Sequence, residues 1–331
     1  MDDPLAAAND PLRATDAFRV HARDMTALWM EHNTAAADLI RPWADKALAQ
    51  VQQAKTLFYP FAGADFLFSH AFFPRVHTYV LVGLERVGAL SDLDAMPARS
   101  VDLEYGRIEK AVTPLLRATF FRTMEMQSDV LKDGVLTVLA TLIAGTHHRL
   151  LNIQEIALAE DGSVTERVGN DSKLTPGARI DFVDEGAADV QTLYYFRTDL
   201  SDKGLARQGG LLAFVSTLPS KVTFMKAASY LMQGKPFSVI RGYVLSHSEA
   251  VLEDDTGVPL RYFDHATWDV RFFGHYDQPI PMFRNFRQLD LAKAFARGEN
   301  VAPLAFHVGY GSETASNLML AVRRQTAGTS R

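Results

Sequence analysis

A chain of 331 residues, 47% apolar and 22% charged, can bury a substantial core as one large domain or two closely joined ones, and is neither fibrous nor unfolded. Its 34 basic and 39 acidic residues leave a net charge of −5, which excludes a global positive field for drawing in DNA or RNA. The absence of cysteine removes disulfides, thiolate nucleophiles and cysteine-held zinc or iron–sulfur clusters.

Residues 1–14 and 325–331 lack periodicity and are expected to fray, leaving a single large domain over 15–324, helix-rich in 15–149 and strand-rich in 150–324. Met25, Leu28, Trp29, His32, Ala36, Leu39, Ile40 and Trp43 recur at the spacing of one helical face, which predicts helix over most of 16–54 with a kink at Pro42. Thr56–Pro60 and Val76–Val82 read as strands around a helix-like stretch, Asp65–Phe73, a strand–helix–strand unit. Thr113 and Pro114 fit the cap and first position of a helix running to Leu131, and the apolar run Val135–Ala144, too short to span a bilayer, reads as a buried helix.

The period then changes. Leu150–Ala159 and Ser163–Val168 flank Glu160-Asp161-Gly162 as a hairpin, and strands follow at Arg179–Val183 and Thr192–Arg197. Leu211–Met232 reads as helix split by Pro219. Ala250–Glu253 and Val258–Phe263 bracket Asp254-Asp255-Thr256-Gly257 as a second hairpin. Further strands are predicted at Trp268–Tyr276, Ala305–Tyr310 and Asn317–Val322, and a helix at Asp290–Arg297 that Gly298 stops. Helices and strands do not alternate as in a doubly wound parallel sheet, so the expected class is α+β, helices packed on a mixed or antiparallel sheet formed mainly by the C-terminal part.

No complete catalytic motif is present. Gly234-Lys235 is followed by Pro236 instead of the Ser or Thr of a phosphate loop, and Gly309-Tyr310-Gly311 lacks the third glycine of a dinucleotide fingerprint. The ten histidines form no His-x-x-x-His pair, so no metal site is assigned. On a helix, Lys226 would share a face with Ser229 and Tyr230, where an amine could lower a hydroxyl pKa; the alternative is a lysine stem lying beside a packed tyrosine. Asp65 and His70 sit among seven aromatic residues in 58–73, as a desolvated acid–base pair or with Asp65 simply capping the helix. Asp264 and His265 form a second acid–histidine pair, and Asp254-Asp255 suits a turn as well as acid–base work.

The run Phe58-Tyr-Pro-Phe-Ala-Gly-Ala-Asp-Phe-Leu-Phe-Ser-His-Ala-Phe-Phe-Pro74 (FYPFxGxDFLxxxxFFP), continued by Tyr79–Glu85 and by Asp254–Pro259, resembles a group of bacterial proteins described as lipoproteins or secreted proteins, for which no activity is established. The resemblance spans most of the chain and brings no site residues with it. It implies a periplasmic or outer-membrane-associated location with an upstream signal removed, since Met1-Asp2-Asp3-Pro4 opens no signal sequence; without it the location expected is cytoplasmic. The absence of cysteine points the same way.

The first functional expectation is an extracytoplasmic protein holding a small or polymeric ligand in a cleft, with Arg197, Lys226 and Tyr230 as ligand-binding candidates. A hydrolase using Asp65 with His70, or Asp264 with His265, and an envelope scaffold are the alternatives. No nucleic-acid partner and no transmembrane segment are expected, and the sequence indicates neither a cofactor class nor an oligomeric state.

Overall fold

Eleven strands hydrogen-bond into one mixed sheet in a computed structural model that describes residues 11–117, 134–166, 173–310 and 316–324. The chain enters through α1 (Asp16–His32), a π-helical turn (Asn33–Ala37) and α2 (Asp38–Ala47). Thr15 caps α1, its hydroxyl accepting from Phe18 N at 3.1 Å. The strand–helix–strand unit follows as β1 (Thr56–Tyr59), α3 (Phe66–Phe72) and β2 (Thr78–Gly83), then α4 (Ala98–Arg117) and α5 (Leu136–Gly145). An antiparallel set comes next: β3 (His148–Leu158), β4 (Val164–Glu166), β5 (Thr175–Asp184) and β6 (Val190–Arg197). The remainder is α6 (Asp202–Arg207), α7 (Gly210–Thr217), β7 (Lys221–Met225), α8 (Ser238–His247), β8 (Ala250–Glu253), β9 (Trp268–Gly274), α9 (Leu289–Arg297), β10 (Val301–Ala302) and β11 (Asn317–Arg323).

Across the sheet the order is β10-β9-β11-β8-β7-β1-β2-β6-β5-β3-β4. The α+β class and the mixed sheet are as expected. At its centre, however, five neighbouring strands, β8, β7, β1, β2 and β6, run parallel, and all their carboxyl ends open on one edge. Strands buried on both faces read as near-continuous apolar runs, and β1 and β8 are buried at every position, with Thr56 and Glu253 as their polar members. Alternate strand residues face two cores. Leu57, Tyr79, Leu81, Phe224 and Leu252 pack against α1–α5 on one side, while Phe58, Val80, Val82, Met225 and Val251 pack against α6–α9 on the other. Among the described residues no helix is long and apolar enough to cross a membrane.

Several local expectations are corrected. Pro42 lies inside α2, and the break in α-helical geometry falls at Asn33–Ala37 instead. Pro114 lies inside α4, so Thr113 does not cap a new helix; its hydroxyl donates to Glu109 O at 2.6 Å, and the predicted continuation to Leu131 is outside the described residues. Lys221–Met225, read as helix, is the central strand β7, because Pro219 ends the helical run and the β-branched and aromatic residues after it fill a slot between β1 and β8. The second hairpin does not form: β8 pairs with β7 and β11, and Leu260–Tyr262 is a 3-10 turn. Ala305–Tyr310 is not a strand. Gly298 stops α9 at φ 68° as expected. The termini 1–10 and 325–331, expected to fray, are outside the described residues.

Candidate functional site

The carboxyl ends of the parallel strands build one crevice. After β1 the chain turns through Phe61 (φ 63°) and Gly63 (φ 57°), and Gly63 N donates to Val82 O at 3.2 Å, tying this turn to the end of β2. Asp65 then caps α3 by accepting from Phe68 N at 3.3 Å. Asp65 also pairs with Lys226 at 2.7 Å, with 2% and 1% of their side chains exposed, and accepts from Tyr59 OH at 3.0 Å. Burial and the Asp65 carboxylate push the Tyr59 hydroxyl well above its usual pKa. The Lys226 ammonium lies 4.1 Å from the centre of the Phe68 ring.

Beyond β2 stands Glu85, a buried carboxylate. Its Oε2 accepts from Leu84 N at 3.1 Å and from the β6 hydroxyl of Tyr195 at 3.2 Å, while Oε1 takes no hydrogen bond among the described residues. Folding the carboxylate back over the strand end requires glycine at 83, where a Cβ would stand 2.4 Å from Glu85 Oε2.

Lys226 does not lie on a helix with Ser229 and Tyr230, as the sequence suggested. The residues follow β7 in a loop with left-handed backbone at Ala227 (φ 51°), Ser229 (φ 49°) and Tyr230 (φ 59°), conformations that cost non-glycine residues about 1–2 kcal/mol each and persist only when neighbours impose them. The acids after β8 impose them. Asp254 Oδ2 accepts from Ala227 N at 2.8 Å, Thr256 Oγ1 accepts from Ala228 N at 2.7 Å, and Tyr230 OH donates to Asp255. From the far side Tyr310 OH donates to Ala227 O at 2.8 Å. Gly309 makes room for this junction, since a Cβ there would meet Asp254 Oδ2 at 2.2 Å.

Burial raises all three acids. Asp254 is pushed up to about 7, Asp255 adding to the effect of burial. Asp255 rises through burial although Tyr230 and Asn317 bond to it. Glu253 rises well above the usual carboxylate range through burial; its Oε2 accepts from Val258 N at 2.8 Å, and its buried Oε1 has no partner among the described residues.

The resulting crevice encloses about 240 Å³ between the Phe61–Gly63 turn, the Gly83–Glu85 strand end, Thr198–Leu200, the Ala227–Ser229 loop, Phe237 and Tyr310. Its acidic lining residues are Glu85 and Asp199, and among the described residues no lysine or arginine lines it.

The other sequence candidates lie elsewhere or hold different partners. His70 leaves Asp65 for a hollow at the opposite edge of the sheet, lined with His77, His147, His148 and Arg41. Its ring is 4.7 Å from that of His148, and its buried Nδ1 has no partner among the described residues. Asp264 and His265 do share a surface hollow, but the Asp264 carboxylate is turned onto its own loop, accepting from Ala266 N at 3.1 Å and Thr267 Oγ1 at 3.3 Å. Arg197 sits at the end of β6, and its Nε donates to Leu84 O at 3.0 Å. Asp65, Lys226 and Tyr230 therefore stand behind the crevice lining, as supports of the elements that form it and not as lining residues, with Arg197 beside it. Sequence reasoning passed over Glu85, Asp199 and Tyr310. Glu85 had a signal, an acid just past the second strand of a strand–glycine turn–helix–strand unit; Asp199 and Tyr310 had none, because only the fold brings them there. Among the described residues no group of three or more histidine or acidic side chains could hold a metal ion.

No protein-family model matches the chain, and no curated protein or solved structure matches it significantly.

Proposed function

We propose that the crevice binds a ribonucleoside, the Glu85 carboxylate receiving its ribose hydroxyls. Open sheets with parallel strands bind ligands outside the carboxyl ends, where the strand order reverses. That point here is β1, flanked by β2, next in the chain, and by β7, to which the chain returns much later. In nucleoside-binding sheets of this kind an acid about 20 residues beyond the first turn's glycine accepts the ribose hydroxyl; Glu85 stands 22 positions after Gly63. The meeting of this glycine turn and this acid in one crevice at the switch point is the observation that carries the reading.

The rest of the ligand is not a polyphosphate. The lining has the acids Glu85 and Asp199 and, among the described residues, no cation, the turn has one glycine where a pyrophosphate loop needs three, and the Asp65 carboxylate already occupies the first turn of α3. A neutral or cationic nucleoside suits this lining, so adenosine and the sulfonium S-adenosylmethionine are the test ligands.

Calorimetric titration is expected to find both bound, and bound more tightly than NAD, with Glu85→Gln weakening them about tenfold through loss of a charge-assisted hydrogen bond. Absence of binding by every nucleoside, or an unchanged affinity in the variant, refutes the proposal. An acid–base hydrolase has less support, because Asp65 and His70 line no common cavity and Asp264 is bonded within its own turn. The envelope location implied by the resemblance makes free nucleosides the available ligands; a cytoplasmic location makes S-adenosylmethionine available too.

A further inference from the structure

A second hollow of about 670 Å³ opens beside the crevice and shares Leu84, Thr198 and Asp199 with it. Its charge is opposite. Arg197 ends β6 and Arg207 ends α6, so two elements bring guanidinium groups to a concavity that Lys173 also lines and whose one carboxylate among the described residues is Asp199. The net charge of the whole chain is −5, so this concentration does not follow the general trend of the surface.

Asp199 offsets it only in part. That carboxylate bonds within its own loop, accepting from Ser201 N at 2.9 Å and from Ser201 Oγ at 2.8 Å, and makes one long ion pair with Arg207 at 3.5 Å. Arg197 is held by Nε on Leu84 O and has no carboxylate within ion-pair distance among the described residues. Its anchor, Leu84, directly precedes Glu85. A planar guanidinium with its remaining donors available is suited to a carboxylate or phosphate.

We infer that this hollow takes an oxyanion held next to the ligand of the crevice. The oxyanion is a phosphate on the nucleoside's own ribose or an acidic group on a second molecule. The inference rests on the nucleoside reading for what lies next door, and its test separates the two. The full chain is titrated calorimetrically with adenosine, with adenosine 2′- and 3′-monophosphate, and with inorganic phosphate and citrate in the presence of saturating adenosine. The same titrations are made on Arg197→Ala/Arg207→Ala, whose folding is checked by its melting temperature, and on Arg197→Lys/Arg207→Lys.

If the phosphate sits on the ribose, a monophosphate binds at least tenfold more tightly than adenosine, and the alanine variant loses that gain with adenosine affinity unchanged. If the anion belongs to a second molecule, the monophosphates gain nothing, while phosphate or citrate binds beside adenosine and is lost in the alanine variant. In either case the lysine variant keeps part of the affinity. Anion binding lost in the alanine variant when adenosine never binds supports the hollow and removes only the nucleoside reading. Anionic probes that do not bind, or that bind wild type and alanine variant equally, overturn the inference.

Discussion

Lys226→Met destabilises the folded chain by about 3–5 kcal/mol in urea denaturation, the usual consequence of stripping one partner from a buried ion pair. The ammonium and the Asp65 carboxylate are 2.7 Å apart and almost wholly buried, and Tyr59 is the carboxylate's remaining side-chain donor. Without Lys226 the charge stays in a medium that solvates it poorly. Because a well-packed neutral pair often costs little, Lys226→Met/Asp65→Asn recovers much of the loss, and the double-mutant cycle returns a large coupling energy. The pair joins the end of β7 to the first turn of α3, so the single variant also disturbs the crevice between them. A loss below about 1 kcal/mol in Lys226→Met, in the range of an exposed pair, contradicts this account.

His70→Phe makes the chain less sensitive to acid. Burial, with help from His148 and Arg41, lowers the His70 pKa from 6.5 to about 3. Between those values the unfolded chain binds a proton that the folded chain refuses, so His70 costs stability progressively as pH falls below 6.5. At pH 4.5, two units into that window, the cost is about 2.7 kcal/mol at 1.36 kcal/mol per unit. Burial also lowers His148 and His32, which act in the same direction. Asp254, Asp255 and Glu253, raised by burial, act oppositely, withdrawing stability as pH rises through their titration. The variant isolates one contribution: phenylalanine keeps a ring against Phe66 and removes the unpartnered nitrogen. The difference between variant and wild type should grow as pH is lowered from 6.5; a difference that stays flat from pH 7 to 4.5 is incompatible with a neutral buried imidazole.

Local chemistry was readable in the sequence wherever it was completed locally. The β1–α3–β2 unit, the Asp161-Gly162 turn, the Asp65 cap and the Gly298 stop all appear where their residues predict. The misreadings share another cause. Leu211–Met232 breaks its short apolar runs with Ser, Thr and Lys in no fixed rhythm, and short apolar runs have no period to separate helix from buried strand; pairing with β1 and β8 decided it. Asp254-Asp255-Thr256-Gly257 has the composition of a hairpin turn, yet its carboxyl and hydroxyl groups bond to Ala227, Ala228 and Tyr230. The parallel centre of the sheet was obscured because α4, α5 and the antiparallel strands β3, β4 and β5 come between β2 and β6 in the chain. Of the site, Asp65, Lys226 and Tyr230 were legible as residue types out of place among apolar neighbours, whereas Asp199 and Tyr310 depend on contacts across the whole chain.

The strand order also governs when this chain can finish folding. β1 waits for β7, more than 160 positions later, to cover one of its edges, and the last strand, β11, enters between β8 and β9 instead of joining the rim. During synthesis β1 therefore keeps an open apolar edge until β7 has emerged, and β8 keeps one until β11 has, and pairings so distant in sequence make for slow closure. Loss of β11 removes an interior strand and detaches β9 and β10 with it, so a truncation that reaches Asn317–Arg323 opens the sheet from within instead of trimming its rim.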